Sequence, residues 1–154
     1  MTLALYDAPI SSAKLSVSTD DYTNYNPFVV TFDGRTGGAI TKQLYIRNDN
    51  LDRYYRNIGI SLIDTDSFQH IDGSVHGWEW KLMISDLPPS EAEWYNIDPS
   101  NYLVFSDNLG SSSMGDTATY LSFWIRVAVP AKQLLQTIKT VYIRITAVEG
   151  MVDY

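Results

Sequence analysis

Residues 119–130 read TYLSFWIRVAVP. Leu121, Phe123, Ile125, Val127 and Val129 alternate with Ser122, Trp124, Arg126 and Ala128, a period of two that belongs to a strand with one apolar face. Pro130, which has no amide hydrogen to donate, ends it.

The same period recurs on both sides of this stretch. Leu15 and Val17 alternate with Lys14, Ser16 and Ser18, and Phe28, Val30 and Phe32 alternate with Val29 and Thr31. KQLYIRN puts Leu44 and Ile46 on one face and Tyr45 and Arg47 on the other, and NIGISLI turns Ile58, Ile60 and Leu62 inward. WEWKLMI sets Trp78, Trp80, Leu82 and Ile84 on one side, YLVFS is a further strand, and TVYIRITAVE turns Val141, Ile143, Ile145 and Ala147 inward.

Between these runs lie a polar loop, TDDYTNYNP, and a glycine-rich turn, DGRTGGA at 33–39, which supplies the positive φ that a tight reversal needs. DNLDRYYR is too long for a two-residue hairpin, so the strands it joins are expected to cross between sheets. One short helix is predicted near 90–96, where prolines precede Ser90 as N-cap and Glu93 stands three residues on, as in a capping box. AKQLLQTIK reads as a loop or one or two helical turns. DNLGSSSMGD, at 107–116, has no apolar periodicity. About eight short strands joined by turns and long loops predict an all-β fold, an Ig-like two-sheet antiparallel sandwich with Greek-key connections.

At 154 residues the chain has the size of one domain and can bury a core without staples. The expected division is an N-terminal arm or edge strand at 1–12, a single sandwich domain at 13–150 and a short tail at 151–154. Leu3 and Leu5 before Pro9 suit an arm added to a neighbour's sheet edge or an intramolecular edge strand equally well. MTLALYDAPISS lacks a basic n-region and an apolar h-region, so no secretory signal is expected, and no apolar run approaches the roughly 20 residues of a membrane-spanning helix. These features suit a soluble protein made in a cytosol.

Eighteen acidic against eleven basic residues give a net charge of −7, which disfavours a phosphate-backbone partner. The absence of cysteine excludes disulfides, thiolate nucleophiles and cysteine-based zinc sites. Eleven Tyr and four Trp fit pleated strands and also interfaces.

Catalytic constellations are sparse. His70 and His76 have no G-x-S-x-G serine to serve, and Glu91 and Glu93 point in different directions on a helix, where capping explains them. GRTGG has no helix behind it to hold a phosphate. NDNLD at 48–52 has calcium-loop spacing, but Arg53 and Gly59 stand where glycine and a bidentate glutamate belong. Asp64, Asp66 and Asp72 are weak calcium candidates whose side chains serve turns equally well. No catalytic residue, cofactor or metal is predicted.

What remains is an aromatic–Ile–Arg triplet in three strands: LYIRN at 44–48, FWIRV at 123–127 and VYIRI at 141–145. The spacing is irregular, so this is no repeat. In each strand the isoleucine faces one way and the aromatic and arginine share the other face, about 6.6–6.8 Å apart. Tyr45, Arg47, Trp124, Arg126, Tyr142 and Arg144 are the candidate interface residues. Two readings stand side by side. Either each arginine covers a neighbouring aromatic by a cation–π contact, or the pairs assemble in one sheet into a docking face.

GGAITKQLYIRNDN followed by RNIGISLID resembles the second and third strands of Ig-like sandwiches. WEWKLMISDLPPSEAEW, SFWIRVAVPA and TVYIRITAVEG resemble stretches of small β-sandwich structural proteins of tailed bacteriophages, found among head decoration and tail-associated components. The resemblance spans about residues 28–149 in style and strand order and carries no site residues. It implies a non-enzymatic virion protein, synthesised in the host bacterial cytoplasm. Such a protein binds the major capsid protein as decoration or cement, or tail or neck proteins, with homo-oligomerisation open, no nucleic acid, no membrane and no cofactor. The alternative is a carbohydrate-binding β-sandwich module for host attachment, and a calcium-dependent sandwich ranks third.

Overall fold

A computed structural model describes residues 3–9, 15, 31–48, 52–64, 69–70, 74–75, 78–95, 102–110, 120–132 and 141–151, with backbone alone at 63, 64, 69, 70, 74, 75, 78, 141 and 142. The chain is all-β: two antiparallel sheets packed face to face, with one short helix. The first sheet has the order β1 (Leu3–Tyr6), β2 (Gly38–Asn48), β8 (Tyr120–Val129), β6 (Trp78–Met83), β5 (Ser74–Val75). In the second, β3 (Arg53–Asp64) is central, with β9 (Val141–Met151) on one edge and β4 (Gln69–His70) and β7 (Leu103–Val104) on the other.

The long strands explain the topology. β2 and β3 are consecutive, as are β8 and β9, yet neither couple pairs with itself. β2 pairs with β8, and β3 pairs with β9. Each connection therefore crosses from one sheet to the other, as expected for the first of them, although not for the length of DNLDRYYR: RYYR already belongs to β3, so the connection is residues 49–52 alone.

Burial along β8 alternates without a break, with Leu121, Phe123, Ile125, Val127 and Val129 inside. Leu44 and Ile46 of β2 stand opposite Phe123 and Leu121, and Leu82 of β6 stands opposite Ile125. From the second sheet Ile58, Ile60, Leu62, Ile143 and Ile145 meet them in one buried cluster. Phe105 packs edge-to-face on Phe123 at 6.4 Å. Ile84 departs from the expected pattern: β6 ends at Met83, and Ile84 leaves the sheet exposed.

One register shift escaped the period-two reading. Between Arg56 and Gly59 the β3–β9 pairing skips a residue, and Asn57 takes φ 50°, a left-handed conformation that asparagine tolerates better than most. The extra residue turns both Tyr55 and Ile58 into the core, although they are three positions apart. Tyr55 is then tied down by two backbone bonds with Leu109 (2.6 and 3.0 Å) and by its hydroxyl, which donates to Glu149 Oε1 at 2.8 Å.

The glycine turn also forms as its composition predicts. Gly37 N donates to Asp33 O at 2.8 Å, and Asp33 Oδ1 accepts from Arg35 N at 2.9 Å. Gly37 has φ 69°, and a Cβ there would meet the Val129 carbonyl oxygen at 2.4 Å, so both conformation and space demand glycine. At the N-terminus β1 pairs with β2 through Leu3↔Asn48 to Tyr6↔Tyr45, and Leu15 N donates to Leu5 O at 2.8 Å on the other edge of β1. All four β1 residues are buried. Of the strand expected at 28–32, only 31 and 32 are described; they are not in a strand, and Phe32 packs against the core. The histidine at 76, Asp66, Asp72, 111–119 and 133–140 lie outside the described residues.

Candidate functional site on the outer faces of the two sheets

Pairing register divides the six candidate interface residues. Tyr45, Arg47, Trp124 and Arg126 stand on the outer face of the first sheet, since β2 and β8 are neighbours. Arg144 stands on the outer face of the second sheet, opposite Ser61, and Tyr142 pairs with Ile63 on the same strand. The side chain of Tyr142 is outside the described residues. The two outer faces look away from each other, so the three triplets do not meet on one surface.

On the first sheet the four residues are engaged within the chain. Arg47 lies over the Tyr6 ring, its Cζ 3.3 Å from the centroid, and donates to the Pro9 carbonyl at 3.5 Å. Tyr45 packs edge-on to Tyr120 at 5.6 Å and donates its hydroxyl to Gln43 Oε1 at 3.1 Å. Trp124 Nε1 donates to the Ser85 carbonyl at 2.9 Å.

Arg126 is the most constrained of the four. Its side chain is only 14% exposed, and its guanidinium reaches Glu79 at 3.2 Å and Glu91 at 2.8 Å. Lys81, directly opposite on β6, lies 3.5 Å from the same Glu79 carboxylate and donates to the Trp94 carbonyl at 2.9 Å. These contacts hold a strap, residues 84–95, over the sheet. The strap ends in helix α1 (Glu91–Tyr95), whose Trp94 is fully buried yet lies outside the core between the sheets. A second small core therefore sits on the outer face, with Trp94 as its apolar centre and charged pairs around it.

The capping box predicted for this helix is formed. Glu93 N donates to Ser90 Oγ at 3.3 Å, and Ser90 N donates to Glu93 Oε2 at 2.6 Å. That bond from the Ser90 amide holds the Glu93 carboxyl below its ordinary value. Glu91 and Glu93 are thus a brace and a cap, and neither is posed as an acid–base pair. The solvent side of the strap is exposed and acidic: Leu87 is 75% and Tyr95 83% accessible, beside Asp86, Glu93 and the Glu91 carboxylate, which stays exposed while it pairs with Arg126.

The outer face of the second sheet has a different character. Along β9 it carries Arg144, Thr146, Val148 and Gly150, and along β3 Tyr54, Arg56, Gly59 and Ser61, of which Gly59 and Ser61 are buried. Val104 of β7 and Tyr102, the residue just before that strand, complete it. The Tyr102 hydroxyl crosses β3 to reach Thr146 Oγ1 at 3.0 Å, passing over Gly59, where a Cβ would meet it at 2.4 Å. Tyr54 covers Gly150 in the same way, a Cβ there falling 2.2 Å from its ring, and carries Arg56 at 4.9 Å from its centroid. Aromatic side chains thus fill the room that two glycines leave in the sheet.

Tyr102, Val104 and Val148 remain 52%, 54% and 57% exposed, and Arg56 and Arg144 are exposed beside them. Among the described residues of this face there is no carboxylate. Only Arg144 of this group was legible in the sequence as a site candidate. Tyr54 and Arg56 were hidden because RYYR sits before the bulge, out of phase with the strand that follows. Val104 lies in a strand of two residues and Tyr102 just before it, too short a run to show alternation.

Asp64 closes β3, its backbone paired with Gln69 and Val141, and its side chain is not described. Among the described residues no three metal-ligating side chains converge, and no helix is long and apolar enough to cross a membrane. Comparison with known proteins gives no match among family models, curated proteins or solved structures.

Proposed function

We propose that this protein is a non-enzymatic contact module, working as a structural component of a phage particle on its capsid, tail or neck. The observation that carries the reading is the outer face of the second sheet. It combines exposed Tyr102, Val104 and Val148 with Arg56 and Arg144, and aromatic and arginine side chains are those enriched where proteins meet. The aromatic rings there are propped over glycines, which lowers the conformational cost of using them in a contact. Resemblance in strand order to small phage sandwich proteins supplies the biological setting.

Mass spectrometry of purified particles from the host that carries the coding sequence tests this directly. Hundreds of copies per particle are expected for a shell role and a few for a tail or neck role; particles free of the protein would overturn the reading. Carbohydrate binding is the second reading, drawing on the exposed rings of Tyr95, Tyr102 and Tyr120. It ranks lower because those rings stand on different faces. Tyr120 is on the outer face of the first sheet, Tyr95 is on its strap and Tyr102 is on the second sheet, so they do not line one platform for a sugar chain. Glycan-array binding abolished by Tyr102→Ala would reverse that order.

A further inference from the structure

The two outer surfaces of the sandwich are opposite in charge as well as in position. Over the first sheet the strap exposes Leu87 and Tyr95 among Asp86, Glu91 and Glu93. On the second sheet Val104, Val148 and Tyr102 are exposed among Arg56 and Arg144. Each surface thus has apolar area that water solvates poorly, with exposed charges of one sign beside it: the strap's cations, Arg126 and Lys81, lie mostly buried beneath it, and Arg126 pairs with Glu91. Such a combination gives affinity through the centre and orientation through the rim.

We infer that copies of this chain associate head to tail, the acidic strap of one docking on the arginine face of the next. The inference rests on reading the second-sheet face as a protein contact surface, and it names the partner for that face. Like-on-like contacts are disfavoured by the charges themselves. Strap against strap opposes carboxylates, face against face opposes Arg56 and Arg144, and only strap against face matches unlike charges over apolar centres. Since the two surfaces lie on opposite sides of one sandwich, each contact leaves a free strap at one end and a free face at the other. Such a heterologous contact propagates into a ring or an open filament and does not stop at a dimer.

Sedimentation velocity on the full chain, from low micromolar to about 0.5 mM and at about 20 mM and about 500 mM salt, measures the association. The wild-type protein is expected to form species larger than a dimer at low salt, and these should weaken at high salt. Two variants divide the interface: Arg56→Glu with Arg144→Glu reverses the face, and Asp86→Lys with Leu87→Lys cancels the strap's net negative charge and removes its exposed leucine without touching Glu91, Glu93 or Trp94. Each variant alone is expected to associate at least about tenfold more weakly than the wild type. An equimolar mixture should recover one contact and form a 1:1 pair, because the intact strap of the first fits the intact face of the second.

Thermal melts establish that both variants are folded; if either is not, Arg144→Gln and Leu87→Ser test the same two surfaces more gently. A wild-type protein that stays monomeric throughout overturns the inference. So do variants that associate as tightly as the wild type, or a mixture no stronger than its parts. A monomer that is nevertheless abundant on particles would sink self-association alone and leave the contact-module reading standing.

Discussion

Arg126→Met asks whether an arginine of the aromatic–Ile–Arg triplet belongs to the fold or is free for a partner. Methionine keeps an aliphatic stem over the sheet and removes both ion pairs. The Glu91 limb is worth little, because that carboxylate is 79% exposed and an exposed pair contributes ~0–1 kcal/mol. The Glu79 limb is stronger, since the guanidinium is 14% exposed and a hydrogen bond to a charged group contributes about 1.5–3 kcal/mol. Glu79 keeps Lys81 at 3.5 Å when Arg126 is lost, so it is not stranded and the lower end of that range applies. The sum is about 2 kcal/mol, which in a chain of this size lowers Tm by roughly 4–8 °C. Urea unfolding followed by tryptophan fluorescence reads it, with Arg144→Met as the control on the other face, expected within about 0.5 kcal/mol of the wild type. A double-mutant cycle with Glu79→Gln isolates the pair. Equal and negligible losses for Arg126→Met and Arg144→Met, or a cycle with no coupling, would refute the claim that Arg126 braces the strap.

Three further outcomes follow from the same geometry. Gly37→Ala is expected to cost more than about 2 kcal/mol, because φ 69° and the Val129 carbonyl at 2.4 Å both oppose a Cβ and neither is a flexible side chain that can swing aside. Gly59→Ala meets side-chain atoms only, the tip of Tyr102 and Thr146 Oγ1 at 3.0 Å, so it should cost less, displace that ring, and cost markedly less again in a Tyr102→Ala background; chemical denaturation of the four variants compares them. Trp94→Ala should cost about 3–5 kcal/mol and raise protease cleavage within 84–95, whereas cleavage unchanged from the wild type would show that the strap is held without it.

The Glu93 cap predicts a pH dependence with a definite sign. Its folded-state carboxyl titrates below the ordinary glutamate value, so its contribution is fully present above that value and is lost as pH falls through the lowered one. An NMR titration of the Ser90 amide should follow that step and lose it in Glu93→Gln. A Ser90 amide insensitive to pH below 5 in the wild type would contradict the cap.

Much of the sandwich is legible along the chain, because alternation is a local signal. Leu44, Ile46, Leu121, Phe123, Ile125, Ile143 and Ile145 read as inward and are buried, since a strand packed on one face leaves a period of two in its own residues. The cap at Ser90 and the turn at Gly37 are legible for the same reason, each being settled within four residues. The Asn57 bulge is not, because one inserted residue inverts the phase and nothing local states which residues the partner strand opposes.

The three arginine triplets show the division most plainly. Their sequence determines that isoleucine enters the core and that the aromatic and arginine face outward, a consequence of backbone geometry alone. Tertiary structure alone decides what those outward residues do. Sheet membership puts Arg126 beneath a strap beginning more than thirty positions earlier, and register puts Arg47 over Tyr6. The crossing from β8 to β9 carries Arg144 to the far side of the molecule. Local pattern specifies which way a side chain points; what it meets there depends on residues distant in the chain, and only their packing brings those residues near.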